Sequence, residues 1–163
     1  MSDCFDRTYA LSRPIEILIL NISDENFKYL DEALQIDLKA TTNFQELIPL
    51  LFIDLKKLGI FIKHFGIFVT IDGGNLLHWA AYHNKPTVAN FILEKLPTNC
   101  YNFFTDVWEG FYLKYNHYID RNGQIRDVAP NLIYTPWCIA NMCSPEIDRL
   151  IRRYCFEHQI PAL

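Results

Sequence analysis

Five cysteines and five histidines are the residues of this chain best suited to covalent or metal chemistry. The cysteines are Cys4, Cys100, Cys138, Cys143 and Cys155. A nucleophilic thiolate needs a base beside it to take its proton. His78, His83, His117 and His158 are the candidate bases, but no local signature joins any of them to a cysteine. A cysteine-dependent hydrolase carried on a helical scaffold is therefore the alternative reading. A zinc centre draws its ligands from close pairs. No two cysteines are spaced CxxC, and Cys138 and Cys143 have no second pair nearby. His78 and His83 stand at i and i+5, so they do not share a helix face as paired metal ligands do. No phosphate-binding or dinucleotide fingerprint occurs, and Gly73-Gly74 marks only a turn. The residues thus predict no catalytic group, no metal site and no cofactor.

Charge narrows the partners. Lys and Arg number 15 against 19 Asp and Glu, a formal net charge of -4. Nucleic-acid binding needs a basic face, and the only cluster is Arg149, Arg152 and Arg153, a run short enough to be the solvated face of a helix. No nucleic-acid partner is expected. The apolar runs at 15–22 and 47–53 fall well short of the roughly 18 residues that cross a bilayer. Residues 1–6 carry no basic leader pattern. A chain without membrane segment or secretion signal, its thiols reduced, is expected in the cytoplasm.

The elements that hold these residues read as mostly helical. The apolar stretch 15–22 suits a strand or a helix start. Ser23-Asp24-Glu25 caps an expected helix over 24–38, with Phe27, Leu30 and Leu34 on one face. Thr42 and Gln45 form a capping-box pattern for a helix over 43–58, with Pro49 as a kink or break and Gly59 as a stop. A further apolar piece at 60–65 closes at Gly66. Short helices are expected over 75–82 and 87–96, the second opened by Pro86. Trp108, Phe111, Tyr112 and Tyr115 have one-face spacing for a helix over 105–118. Asn122-Gly123 centres a small hairpin over 118–125. Two last helices are expected over 135–143 and 145–158.

Two of these segments share a pattern. Gly73-Gly74-Asn75-Leu76-Leu77-His78-Trp79-Ala80-Ala81, followed by Val88, Phe91, Ile92 and Leu93, resembles the ankyrin repeat, whose signature runs G-x-T-P-L-H-x-A-A and then V-x-x-L-L. Asn75-Leu76 replaces Thr-Pro, and Asn84 replaces the Gly between the helices. Thr135-Pro136-Trp137-Cys138-Ile139-Ala140-Asn141, followed by Ile147, Leu150 and Ile151, resembles it more weakly. It keeps Thr-Pro and one Ala, and is one residue short between its helices. Residues 48–66 fit either a third, eroded repeat or an unrelated helical cap. Asp72-Gly73-Gly74-Asn75-Leu76 also resembles the D-G-x-C-L loop of ovarian-tumour-type deubiquitinases, with Asn75 where the nucleophile belongs, so that chemistry would be dead.

The ankyrin resemblance implies a mainly all-α fold: a stack of antiparallel helix pairs in one domain over 1–163. Residues 1–66 form its N-terminal helical unit, 67–97 a repeat, 98–132 an aromatic insert with the hairpin, and 133–163 a repeat and C-terminal cap. Alanines would let paired helices approach closely. His78 would bond backbone groups in neighbouring turns, a structural role. The resemblance further implies a protein partner, no small-molecule cofactor, and work as an adaptor or stoichiometric modulator. Eroded repeats with unusual flanks resemble intracellular bacterial effectors and viral host-range proteins, which act in a host cell's cytoplasm. The partner-contacting surface carried over by position is Ile71, Asp72, Gly74, Trp79, Tyr82 and His83 in the first repeat. In the second it is Leu132, Tyr134, Ile139 and Met142. Trp79 and Tyr82 stand out, because aromatics dominate binding hot spots; the competing expectation is that they pack beneath the insert.

Overall fold

The architecture is that of a computed structural model, which describes residues 10–11, 30–35, 44–97 and 100–161. Residues 30–34 are helical, with Leu30 and Leu34 one turn apart and buried. Gln35 follows in the left-handed region, φ 57°, so this helix stops before Leu38. The stretch 15–22 and the expected caps at Ser23 and Thr42 lie outside the described residues.

Helices α1 (Phe44–Phe52) and α2 (Leu55–Phe65) pack together. The expected break at Pro49 is corrected: α1 runs through it, and the chain breaks at Asp54. Asp54 is a better breaker because its carboxylate caps α2, accepting from the Lys56 N–H at 2.8 Å. Gly59 is no stop either. It lies inside α2, where the Phe91 ring approaches to 3.5 Å of the position a Cβ would take. Gly66 (φ 93°) ends the helix. Leu58, Phe61, Ile62 and Phe65 bury one stripe.

Strands β2 (Thr70–Ile71) and β3 (Gly74–Asn75) pair antiparallel, and β1 (Ala10–Leu11) adds parallel to β2. Asp72 and Gly73 make the tight turn with φ of 51° and 88°. Two positive φ values are what a two-residue hairpin of matching twist requires. From this turn springs α3 (Leu76–Tyr82), then α4 (Pro86–Lys95). Asn75 caps α3 by accepting from Leu77 N and His78 N, and His78 Nδ1 accepts from Asn75 N. The helix ends with Asn84 in the left-handed region (φ 52°), Lys85 N on Ala80 O and Asn84 N on Ala81 O. That is a Schellman ending with Asn in the position glycine usually fills.

The insert holds α5 (Tyr101–Thr105), α6 (Phe111–Lys114) and the antiparallel strands β4 (His117–Ile119) and β5 (Ile125–Asp127). One helix over 105–118 is therefore a corrected expectation. Gly110 turns the chain with φ 81°, and α6 lasts four residues. Trp108, Phe111 and Tyr115 still reach the core, but Tyr112 is 42% exposed. Last come α7 (Pro136–Cys143), capped by Thr135, and α8 (Pro145–Glu157), capped by Ser144.

The chain is mainly helical. Helix α3 packs on α4 and α7, and α8 packs on α4 and α7. Ala80, Ala81 and Ala140 are fully buried, and side chains this small let helix axes come close. Among the described residues no helix is long and apolar enough to cross a membrane.

Candidate protein-binding surface

The turn and first helical turn at 72–78 grip the insert from below. Asn75 is 1% and His78 0% exposed. His78 Nδ1 accepts from Asn75 N at 3.0 Å, so the ring proton sits on Nε2. That proton faces two carbonyls at 3.0 Å, Asp106 O and Tyr134 O. These carbonyls flank the stretch that holds α6 and the hairpin, so one imidazole closes its base. Burial holds the His78 pKa down to about 3, which keeps the ring neutral. Asn75 Nδ2 donates to Phe103 O at 3.1 Å. Trp108 Nε1 donates to Asp72 O at 2.9 Å, and the Asp72 carboxylate takes the Lys114 ammonium and the Tyr115 hydroxyl.

Above this base lies an aromatic cluster. Trp108 packs against Trp79 with ring centres 4.6 Å apart and against Phe111 at 4.9 Å. Tyr82 meets Trp108, Phe111 and Tyr115 at 5.5–6.1 Å, and Phe111 meets Tyr134 at 4.7 Å. Each such pair adds about 0.5–1.5 kcal/mol beyond area burial. Gly74 makes the approach possible: a Cβ there would stand 2.7 Å from the Trp108 ring.

This packing corrects most of the expected contact residues. Ile71, Trp79 and Ile139 are fully buried, Tyr134 nearly so, and Gly74 lies beneath Trp108. Trp79 spends its ring N–H on Ile71 O at 2.9 Å. Trp108 of the insert packs on Trp79 and Gly74, and Phe111 packs on Tyr134, so these positions are interior and not exposed surface. Asp72 is half-buried and committed to Lys114 and Tyr115. Of the remaining four, Leu132 is exposed, Tyr82 and His83 are half-buried at the end of α3, and Met142 is half-buried.

The insert carries the exposed apolar surface. Of the ten large hydrophobic side chains exposed among the described residues, eight lie between Tyr101 and Ile133; Ile53 and Phe156 are the others. Leu113, Ile119 and Ile125 are 81%, 61% and 74% exposed. Ile119 and Ile125 are direct cross-strand partners. With His117 and Asp127, which pair at 3.1 Å, they form the outward face of the hairpin. The inward face holds half-buried Tyr118 and buried Val128. Asp120 stiffens the loop, its carboxylate accepting from Asn122 N, Gln124 N and Arg126 Nε at 2.8–2.9 Å.

Sequence reasoning missed Ile119, Ile125, Leu113 and Ile133. The isoleucines at both ends of the Asn-Gly hairpin were the available signal, because register across a hairpin loop sets them opposite each other.

A cleft of about 610 Å³ lies between the hairpin and the end of α3: Tyr82, His83 and Cys143 line it from the body, and His117, Ile119 and Ile125 border its open side while staying largely exposed. A cysteine and two histidines therefore share one concavity. Their electrostatics run against nucleophilic chemistry. Burial, then Asp120 and then Cys138, push the Cys143 thiol up to about 12. Burial also raises Cys138 and Cys155. Burial, helped by Lys85, lowers His83, so this ring is a poor cationic partner for a thiolate. Among the described residues no group of three or more His, Cys, Asp or Glu could hold a metal ion.

Of the arginines near the C-terminus, Arg152 is engaged by its own helix pair. Arg152 pairs with Asp148 at 2.9 Å and lies over the Trp137 ring at 5.0 Å, while Arg149 and Arg153 are exposed. No family model, curated protein or solved structure matches this chain.

Proposed function

We propose that this protein is a protein–protein interaction module, an adaptor or stoichiometric modulator, and that its contact surface is the outward apolar side of the insert. The observation that carries the reading is the gathering of eight of ten exposed large hydrophobics between Tyr101 and Ile133. Isolated exposed apolar residues need no explanation; their concentration on one segment, with Ile119 and Ile125 paired across the hairpin, supports an interaction surface there. Below that segment the aromatic rings are buried and packed on one another, which favours a small ordering cost on binding.

In this reading the scaffold is an ankyrin-like stack. Support comes from equivalent helices meeting: α3 against α7 and α4 against α8. It also comes from equivalent caps, Asn75 and Thr135, each accepting from the residue three positions on. The N-terminal pair α1–α2 caps the stack, with the Phe52 ring 6.5 Å from His83. Cys138, Cys143 and Cys155 are unbridged thiols, the state a reducing compartment such as the cytoplasm maintains. The competing hydrolase reading needs a thiolate, and the cleft pushes the Cys143 thiol the other way.

The test is quantitative affinity capture with three baits: the native chain, an Ile119→Asp/Ile125→Asp double variant, and a Phe156→Asp control. Circular dichroism establishes that all three are folded. The reading expects a protein captured by the native chain and the control and lost from the double variant. Equal capture by all three overturns it.

A further inference from the structure

The hydrogen-bond alternation of the hairpin decides which of its sides is open. Asp120 N donates to Gln124 O and Val128 N to Asn116 O. In register with Tyr118↔Arg126, these are the bonded pairs of the ladder. The pairs His117↔Asp127 and Ile119↔Ile125 are then non-bonded ones, and their backbone N–H and C=O groups point away from the hairpin. On the β4 side the body of the protein uses that edge. Tyr82 donates its hydroxyl to His117 O at 3.3 Å, and Arg121 N donates to Met142 O at 3.0 Å. On the β5 side, no strand among the described residues follows, and Ile125, Arg126 and Asp127 are all exposed.

We propose that the partner docks by strand addition: an extended segment pairs antiparallel with β5, presenting an apolar side chain beside Ile125 and a basic one beside Asp127. The inference rests on the reading of the insert as protein-contact surface and names the kind of segment it takes. Ile119 and Ile125 already make an apolar stripe running across the strands, and a third strand continues it with one more apolar residue. Beside it Asp127, 3.1 Å from His117 Nε2 across the hairpin, keeps a side chain 91% exposed, and a basic residue on the open side complements it. In antiparallel pairing the partner residue opposite Asp127 precedes the one opposite Ile125 by two, so the segment reads basic–x–apolar. Edge strands are commonly blunted by charge. Here the Arg126 side chain is turned back on its own hairpin, with Nε on Asp120 at 2.9 Å and Nη2 on Gln124 Oε1 at 3.1 Å. The bonds around Asp120 hold the strand extended before anything binds.

The experiment uses the full chain and an acetylated, amidated heptapeptide with Lys-Thr-Ile at its centre, followed by fluorescence anisotropy. Two control peptides carry Glu in place of Lys, or an N-methyl group on the central Ile amide. Strand addition predicts saturable binding, weakened at least tenfold by N-methylation and several-fold by the Glu exchange. Ile125→Pro removes an outward amide while leaving the inward bonds of Tyr118↔Arg126, and should weaken binding at least tenfold. Asp127→Lys, a change at an exposed side chain that does not burden the fold, should reverse the preference toward the Glu peptide. Absence of saturable binding, or an N-methylated peptide that binds as well as its parent, overturns strand addition. The captured protein separates the two levels of the argument. If Ile119→Asp abolishes capture and Ile125→Pro does not, the contact surface stands and strand addition falls. If neither changes capture, both fall.

Discussion

Replacing His78 by alanine should loosen the insert before it loosens the packed helices α3, α4, α7 and α8. The imidazole accepts from Asn75 N and donates toward Asp106 O and Tyr134 O. These three groups are unequal in what they lose. Tyr134 O keeps the Trp108 N–H at 2.9 Å, and Asp106 is exposed, so water replaces the imidazole there. Asn75 is 1% exposed, and its N–H is left without a partner, at a cost of about 1–3 kcal/mol. The vacated ring volume adds about 1–2 kcal/mol, because the surrounding rings relax only partly. The sum is about 2–5 kcal/mol, a large part of the roughly 5–15 kcal/mol that holds a domain together. Urea titration measures the total. Hydrogen exchange shows where it acts: amides between Asp106 and Tyr134 should gain exchange most, and those of α8 least. A total below about 1 kcal/mol, or a gain of exchange spread evenly over the chain, would refute the reasoning.

Three further outcomes follow from the same contacts. Above pH 6.5 His78 is neutral whether the chain is folded or not; below it the unfolded chain takes up a proton that the folded chain refuses until about pH 3. Stability should therefore fall with pH by up to about 1.4 kcal/mol per unit across that window, and His78→Ala should flatten the slope measured between pH 6.5 and 4.5. Gly74→Ala puts a methyl group 2.7 Å from the Trp108 ring and should cost about 1–3 kcal/mol with a red-shifted tryptophan emission; an unchanged spectrum and midpoint would contradict the packing described. Cys143, with a thiol pushed up to about 12, should resist alkylation at pH 8 in the folded chain and react once urea unfolds it. Rapid native labelling at this position would contradict the buried environment.

Much of the scaffold was legible because it depends on local chemistry. Asn75, Thr135 and Ser144 each stand before a helix and cap it with their own side chains, and Pro86 and Pro145 open the helices that follow. The misreadings share a cause in distant contacts. Gly59 looks like a stop, yet it is the small residue beneath the Phe91 ring. The spacing of Trp108, Phe111 and Tyr115 suggests one helix, yet a turn at Gly110 brings the same side chains to Trp79 and Tyr82. Trp79 carried two expectations, facing a partner or packing beneath the insert, and neighbouring residues could not choose between them; it lies buried against Trp108. Conversely, Ile119 and Ile125 look like core residues of a hairpin, and only the packing of the opposite face through Val128 shows them to be outward. Secondary structure starts are written in neighbouring residues; which aromatic lies inside is decided by how the insert folds back.

In the proposed function, partners meet the outward face of the insert and not the covered first helix pair. Site-specific photo-crosslinking tests it directly, with a benzophenone side chain introduced at Ile125 in one protein and at Phe156, exposed on the far helix, in another. The account predicts a discrete crosslinked protein from position 125 and none from position 156. The same adduct from 156 alone, with nothing from 125, would contradict it.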